Sequence, residues 1–377
     1  MTRAVLVGAL LALAGCGAGA DSTGTTTAAR PAGGQNGAGT ASPASARAPR
    51  LTAAQLAGQH VVFPFAGRTP PPALVRRIRR GEAAGVIFLG ANLGTPAQVR
   101  ALTRRLRAIP RPRRLAAPLL LMVDQEGGSV KRLPGAPTRS APQMAATSDP
   151  SVARAEGRAT ATTLRAAGMN VDLAPVMDVV RPESALHSEG RGFGFTAAAA
   201  SRYGGAFTRG LVADGVAATA KHFPGFGAAT ANTDAQIVRI PVALSELRSV
   251  DRPPFVTAVR RGARMVMLAS AIYPALSRVP AVLSPRIVQG ELRRGVGFDG
   301  VTISDDLETP ALAPYGGAAG TAIRATRAGV DLLLFARTYD GADRAARALA
   351  DAIRRRAVPR ATLEASLARV LALRTSL

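Results

Sequence analysis

The residues able to do chemistry in this chain gather behind short apolar runs. Asp124-Gln125-Glu126 follows the run at 119–123, and Asp178 follows the one at 169–173. Lys221-His222 follows the run at 216–220, and Asp305-Asp306 the run at 301–304. Carboxylates, an ammonium and an imidazole supply nucleophiles, proton donors and acceptors, and charged contacts for a polar ligand. With a single cysteine and only His60, His187 and His222, none at ligand spacing, neither a metal nor a cofactor is expected. Among 48 basic residues only Lys131 and Lys221 are lysines, so Lys221 marks a place that calls for an ammonium rather than any cation. The competing account of Lys221 is a buried ion pair with a nearby carboxylate.

These groups need elements that aim them at one place. Runs at 60–65, 85–89, 119–123, 169–173, 216–220, 265–268, 301–304 and 331–335 are short and almost wholly apolar. That is the pattern of strands buried on both faces of a parallel sheet. Between them lie Ala- and Arg-rich stretches with apolar residues three and four apart, as at 97–108, 151–167 and 318–328. Thr95-Pro96, Ser151 after Pro150, and Ser284-Pro285 read as helix starts. Eight strand–helix repeats predict an α/β fold, a (β/α)8 barrel of TIM type, in which loops after the strands carry function. An open doubly wound sheet would show a Gly-rich phosphate loop after its first strand. Here that position reads Gly67-Arg68-Thr69-Pro70-Pro71-Pro72, so the barrel is preferred. Asp178 and Asp331 also sit at strand ends and could be purely structural.

The rest of the chain bounds the setting. A content of 47% hydrophobic residues in 377 excludes disorder for the bulk. The net charge of +24 raises the question of nucleic acid. Its arginines are spread over helix faces, however, and no nucleic-acid-binding motif accompanies them, so no such partner is expected. A cationic surface instead favours an anionic cell wall or lipid headgroups. Residues 1–16 begin with Arg3, continue as an apolar run from Ala4 to Ala14, and end Leu13-Ala14-Gly15-Cys16. That run is too short to span a bilayer and reads as a secretory leader. Its ending resembles a bacterial lipobox, which implies acylation of Cys16 and lipid anchoring on the outer face of the cytoplasmic membrane. Residues 17–50 are Gly, Ala, Ser and Thr with scattered Pro, a flexible tether, and 51–377 form the folded domain.

The motifs VDQEGGSVKRLPG, NVDLAPVMDVV, AKHFPGFG and FDGVTISDDLE resemble, in order and spacing, those of family 3 glycoside hydrolases. The likeness covers about residues 51–377 and is nearest the single-barrel β-N-acetylglucosaminidases of peptidoglycan turnover. It implies one catalytic barrel, without the C-terminal α/β sandwich domain of two-domain members, acting on a carbohydrate; a monomer is expected. It also implies that Asp305 is the nucleophile of a retaining exo-β-glycosidase, forming a covalent glycosyl-enzyme intermediate. Asp124, Arg191, Lys221 and His222 match the family's substrate-holding groups, and Asp306 fits a helix N-cap. β-Glucosidase-type specificity is the alternative within the family.

The acid/base departs from the pattern. Single-barrel members carry Asp-Ser-His in the loop after the fifth strand, where this chain reads Asn232-Thr233-Asp234. Phe226 also replaces a histidine of the preceding motif, and Ser270 stands where relatives have another. Three readings stay open. Asp234 is the acid/base, with a pKa raised by desolvation; His187 or Glu189 provides the acid; or acid catalysis is lost, leaving an impaired, sugar- or wall-binding lipoprotein.

Overall fold

Strand formation follows the apolar runs closely. The computed structural model describes residues 50–377, so Cys16 and the expected leader lie outside the described residues. The strands of the barrel are β1 (Val61–Phe63), β2 (Gly85–Ile87), β3 (Leu120–Val123), β4 (Val171–Asp172), β5 (Ala217–Phe223), β6 (Met265–Leu268), β7 (Val301–Ser304) and β8 (Leu333–Leu334). They pair in parallel in chain order, as in Val86 with Leu121 and Val266 with Thr302. Val61 pairs with Leu333, and the bridge from Ile303 to Leu332 completes the ring between β7 and β8. The (β/α)8 barrel expected from the apolar periodicity is therefore the observed fold. The main difference lies in β5, which runs on to Phe223 and so takes Lys221 and His222 into the strand itself.

Both faces of the ring are buried, which explains why the strands lack polar alternation. Val62, Ile87, Leu120, Met122, Val171, Met265, Met267, Val301, Ile303 and Leu334 fill the inside. Val61, Val86, Leu121, Val123, Ala218, Val266 and Leu268 face outward and pack under the helices. The helix Pro96–Arg107 starts with a capping box: the Gln98 amide N–H donates to Thr95 Oγ1, and that of Thr95 to Gln98 Oε1 at 2.9 Å. The helix Pro150–Ala166 is capped by Asp149 rather than by Ser151, whose N–H donates to Asp149 Oδ1 at 2.8 Å. Ser284 behaves as expected, its hydroxyl accepting from the N–H of Ile287.

The N-terminal end of the barrel is sealed by the last helix, Arg360–Thr375, whose Val370 and Leu373 join the inner cluster. Each such side chain contributes about 1.5–3 kcal/mol on burial. Arg374 is fully buried beside them and donates to the carbonyls of Pro118, Leu115 and Ala117 and to Gln59. Burial, with Arg111 nearby, lowers its guanidinium to about 10. Asp331 belongs to this end as well, which removes it from the candidate chemistry. Its carboxylate accepts from Arg293, Arg369, Ser366 and the N–H of Thr302, clamping the last helix to β7.

Candidate functional site

At the opposite end the strands open into a cavity of about 520 Å³, floored by Ile87, Met267 and Leu334 of the inner layer. That volume falls in the range of small-molecule sites. Asp124, Arg191, Lys221, His222, Asp234 and Asp305 all line it. Seven of the eight strands or their loops contribute, all but β1, so the cavity exists only when the ring is closed.

Past β3 and Asp124 the chain forms a small antiparallel hairpin, Gln125–Gly127 with Val130–Lys131, whose alternating side chains put Glu126 on the cavity side with Asp124 and Gln125 on the other. Gln125 accordingly turns into the loop behind, donating to the carbonyls of Leu133 and Ala136. On the cavity side Lys221 Nζ sits 2.7 Å from Asp124 Oδ1 and 2.7 Å from Glu126 Oε1. Arg191 grips both oxygens of Glu126, at 2.8 and 2.9 Å, and donates to Glu189 Oε2 at 2.8 Å. Burial alone would raise Glu126, yet Lys221 and Arg191 overrule it and hold the carboxyl at about 2. Burial likewise works against the Lys221 ammonium, and Asp124 with Glu126 pushes it above the ordinary value. The buried-pair account of Lys221 is thus observed, and the same side chain lines the cavity.

His222 is held by Asp178, which accepts from His222 Nδ1 at 2.8 Å and from the backbone N–H groups of His222 and Phe226. Asp178 is fully buried and holds Nδ1, so it orients the imidazole of His222, which lines the cavity. Asp305 follows β7, with its N–H donating to the carbonyl of Leu268 at 3.2 Å and its Oδ1 accepting from the N–H of Asp306. Burial raises the Asp305 carboxyl, as does Asp234, whereas His222 and Lys221 draw it down. Asp306 is not the helix N-cap expected of it. Its Oδ1 accepts from the N–H groups of Glu308 and Ala336, tying the loops after β7 and β8, and burial raises it to about 6. The short helix beyond, Pro310–Tyr315, is preceded by Thr309 instead.

The loop after β5 crosses the mouth. Gly227 fits there because a Cβ at that position would lie 1.8 Å from the carbonyl oxygen of Val179. The loop is tied on several sides: Arg181 N–H donates to Gly227 O, Ala185 N–H to Ala229 O, and Thr309 Oγ1 to Thr233 O. Asn232 accepts from the N–H of Asp234 at 2.9 Å and donates to Glu189 Oε1 at 3.3 Å. Asp234 reaches the cavity with its side chain 64% exposed and 3.2 Å from Arg337. The desolvation expected of it is not supplied by its surroundings. Of the two other acid candidates, Glu189 lines the cavity, whereas His187 is exposed and packs edge-on against Phe195. Phe226 fills the place of the family histidine, buried against His222, and Ser270 is buried with its hydroxyl unpartnered. Among the described residues no cluster of His, Cys, Asp or Glu is arranged to hold a metal.

Three cavity residues carry weight that the sequence reading did not give them. Glu126 was legible from alternation with Asp124. Arg337, two residues beyond the eighth run, falls under the same strand-end rule. Arg132 lines the cavity with a buried, unpartnered Nε, and nothing in its local sequence distinguishes it from other arginines.

Comparison with known proteins agrees with this arrangement. Residues 58–373 match the family model for the glycosyl hydrolase family 3 N terminal domain. An uncharacterized secreted glycosyl hydrolase of Arthroderma benhamiae is 37% identical over 74% of this chain and 80% of its own length. A beta-hexosaminidase of Stenotrophomonas maltophilia is 36% identical over 68% of this chain and 77% of its own. The structure of a family 3 beta-N-acetylglucosaminidase from Paenibacillus sp. str. FPU-7 superposes with a TM-score of 0.81 at 32% identity, covering 87% of this chain and 63% of that one. With the motifs, the ring and the cavity in agreement, this chain belongs to glycosyl hydrolase family 3.

Proposed function

We propose that this family 3 glycoside hydrolase is a retaining exo-β-N-acetylhexosaminidase in which Asp305 attacks the anomeric carbon. The observation that carries the proposal is the position of Asp305 at the end of β7, in one cavity with the Asp124–Lys221–Glu126–Arg191 network and the oriented His222. Asp124, Lys221, Arg191 and His222 bind the sugar hydroxyls, orient the ring and exclude water from its buried face. Asp305 displaces the aglycone to give a covalent glycosyl-enzyme, and water then releases the sugar with retention. Asp234, desolvated by the bound sugar rather than by its own surroundings, protonates the leaving oxygen and then deprotonates that water. The hexosamine preference is supported by the activities named for the Stenotrophomonas and Paenibacillus relatives. A second reading, Glu189 as the acid, is favoured by its carboxylate facing the cavity beside Asn232.

Asp305→Asn and Asp305→Ala are expected to abolish release of nitrophenol from nitrophenyl β-N-acetylglucosaminide, and an activated fluoro-sugar should label Asp305. Wild-type turnover by either variant, or a label elsewhere, removes the nucleophile from the proposal. Cleavage of nitrophenyl β-glucoside alone would keep the family and change the sugar. The domain plan (leader 1–16, tether 17–50, barrel 51–377), export and a lipid on Cys16 complete the proposal. They place a monomeric enzyme on the outer face of the membrane, acting on cell-wall fragments. Export is supported by the secreted relative. Mass spectrometry of the mature N-terminus and detergent partitioning of wild type against Cys16→Ser test the anchor.

A further inference from the structure

Arg337 bridges two carboxylates that chain order keeps far apart. Its Nε donates to Asp306 Oδ2 at 2.9 Å, and its second terminal nitrogen to Asp234 Oδ1 at 3.2 Å and Asp234 O at 3.3 Å. The two halves of the bridge differ in kind. The Asp306 side chain is 8% exposed, and its other oxygen accepts from two backbone N–H groups at the ends of β7 and β8. Asp234 is 64% exposed on the loop that crosses the mouth. The guanidinium is therefore fixed from the Asp306 side, next to Asp305, and Asp234 is the partner able to leave. An ion pair this exposed is weak, enough to bias where a carboxylate rests and too little to lock it.

We infer that Arg337 is a positioning residue: anchored by Asp306, it holds the tip of the β5 loop so that Asp234 stands over the cavity at a set distance from Asp305. The guanidinium fork is the suitable group, because two donors must reach two carboxylates on different loops at once. A lysine would keep one contact and lose the other. The role is distinct from binding sugar, since it acts on Asp234 rather than on the ligand. It rests on the reading of Asp234 as acid/base.

The test measures kcat and KM for Arg337→Gln, Arg337→Lys, Asp234→Ala and the double variant Arg337→Gln/Asp234→Ala. Two β-N-acetylglucosaminides are compared, one with a dinitrophenyl leaving group and one with a phenyl group. With the acid misplaced, Arg337→Gln should lose kcat about tenfold or more on the phenyl glycoside, with KM nearly unchanged and little loss on the dinitrophenyl one. The double variant should then be no slower than Asp234→Ala alone, because the arginine has nothing left to position. Arg337→Lys should fall between wild type and Arg337→Gln. Equal loss on both substrates, or additive losses in the double variant, would overturn the positioning role. If Asp234→Ala itself shows no dependence on the leaving group, the acid/base reading fails and this inference fails with it. A leaving-group effect in Asp234→Ala but not in Arg337→Gln removes the inference alone.

Discussion

Replacing Glu126 by glutamine keeps the shape of the side chain and removes the charge that Arg191 and Lys221 share. The carboxyl is displaced from 4.5 to about 2. At ~1.36 kcal/mol per pH unit, that difference is worth roughly 3 kcal/mol of folding free energy at neutral pH. The side chain is only 5% exposed, so solvent screening takes little from that figure. Glutamine still accepts a hydrogen bond, and Arg191 and Lys221 keep Glu189 and Asp124, which makes the value an upper bound. Unfolding of about 330 ordered residues carries an entropy near 0.7 kcal/mol/K, so the melting temperature should drop by up to about 4 °C at pH 7. The pH dependence identifies the cause. A carboxyl whose folded pKa is depressed contributes stability above its unfolded pKa and loses it as pH falls toward the folded one. The wild-type advantage in melting temperature should therefore be constant from pH 7 to about 5 and shrink by about half near pH 3. Calorimetry of both proteins across that range measures it. An unchanged melting temperature at pH 7, or a deficit that persists undiminished at pH 3, would refute the claim that the Glu126 charge holds this network together.

Two further outcomes follow from the same geometry. Asp305 must be ionised to attack, and burial together with Asp234 raises its carboxyl. The acid limb of kcat/KM on an activated glycoside should accordingly lie above the ~3.9 of a free aspartate, and Asp234→Asn should move it to lower pH; a limb that stays put would mean Asp234 exerts no field on Asp305. Gly227→Ala sets a Cβ against the Val179 carbonyl, with backbone on both sides, so the loop must move. A destabilisation of about 1–3 kcal/mol, read as a lower melting temperature, should accompany slower cleavage of poor leaving groups.

The sequence alone determined the ring and much of its mouth. Apolar runs buried on both faces reveal parallel strands, and a strand's direction fixes which of its neighbours face the site. Asp124, Lys221, His222 and Asp305 were legible for that reason, as Glu126 was in principle from alternation. Boundaries near the site were less so, since β5 continues through Lys221 and His222, where side-chain polarity hides a strand whose backbone still pairs.

Tertiary structure decided the pairing of charges and the fate of candidates that strand position could not separate. Arg191 grips Glu126 across 65 residues and Arg337 reaches Asp234 across 103, contacts that appear only when the ring closes and brings loops from different strands over one cavity. Asp331 looked like another strand-end carboxylate, but it lies at the sealed end because the short β8 begins after it. Asp306 fits a helix start by local sequence and instead joins two loops. A local pattern records the period and direction of a strand, because these depend on neighbours in sequence. It carries no record of which distant charge will neutralise a given side chain, because that depends on how all eight strands come together.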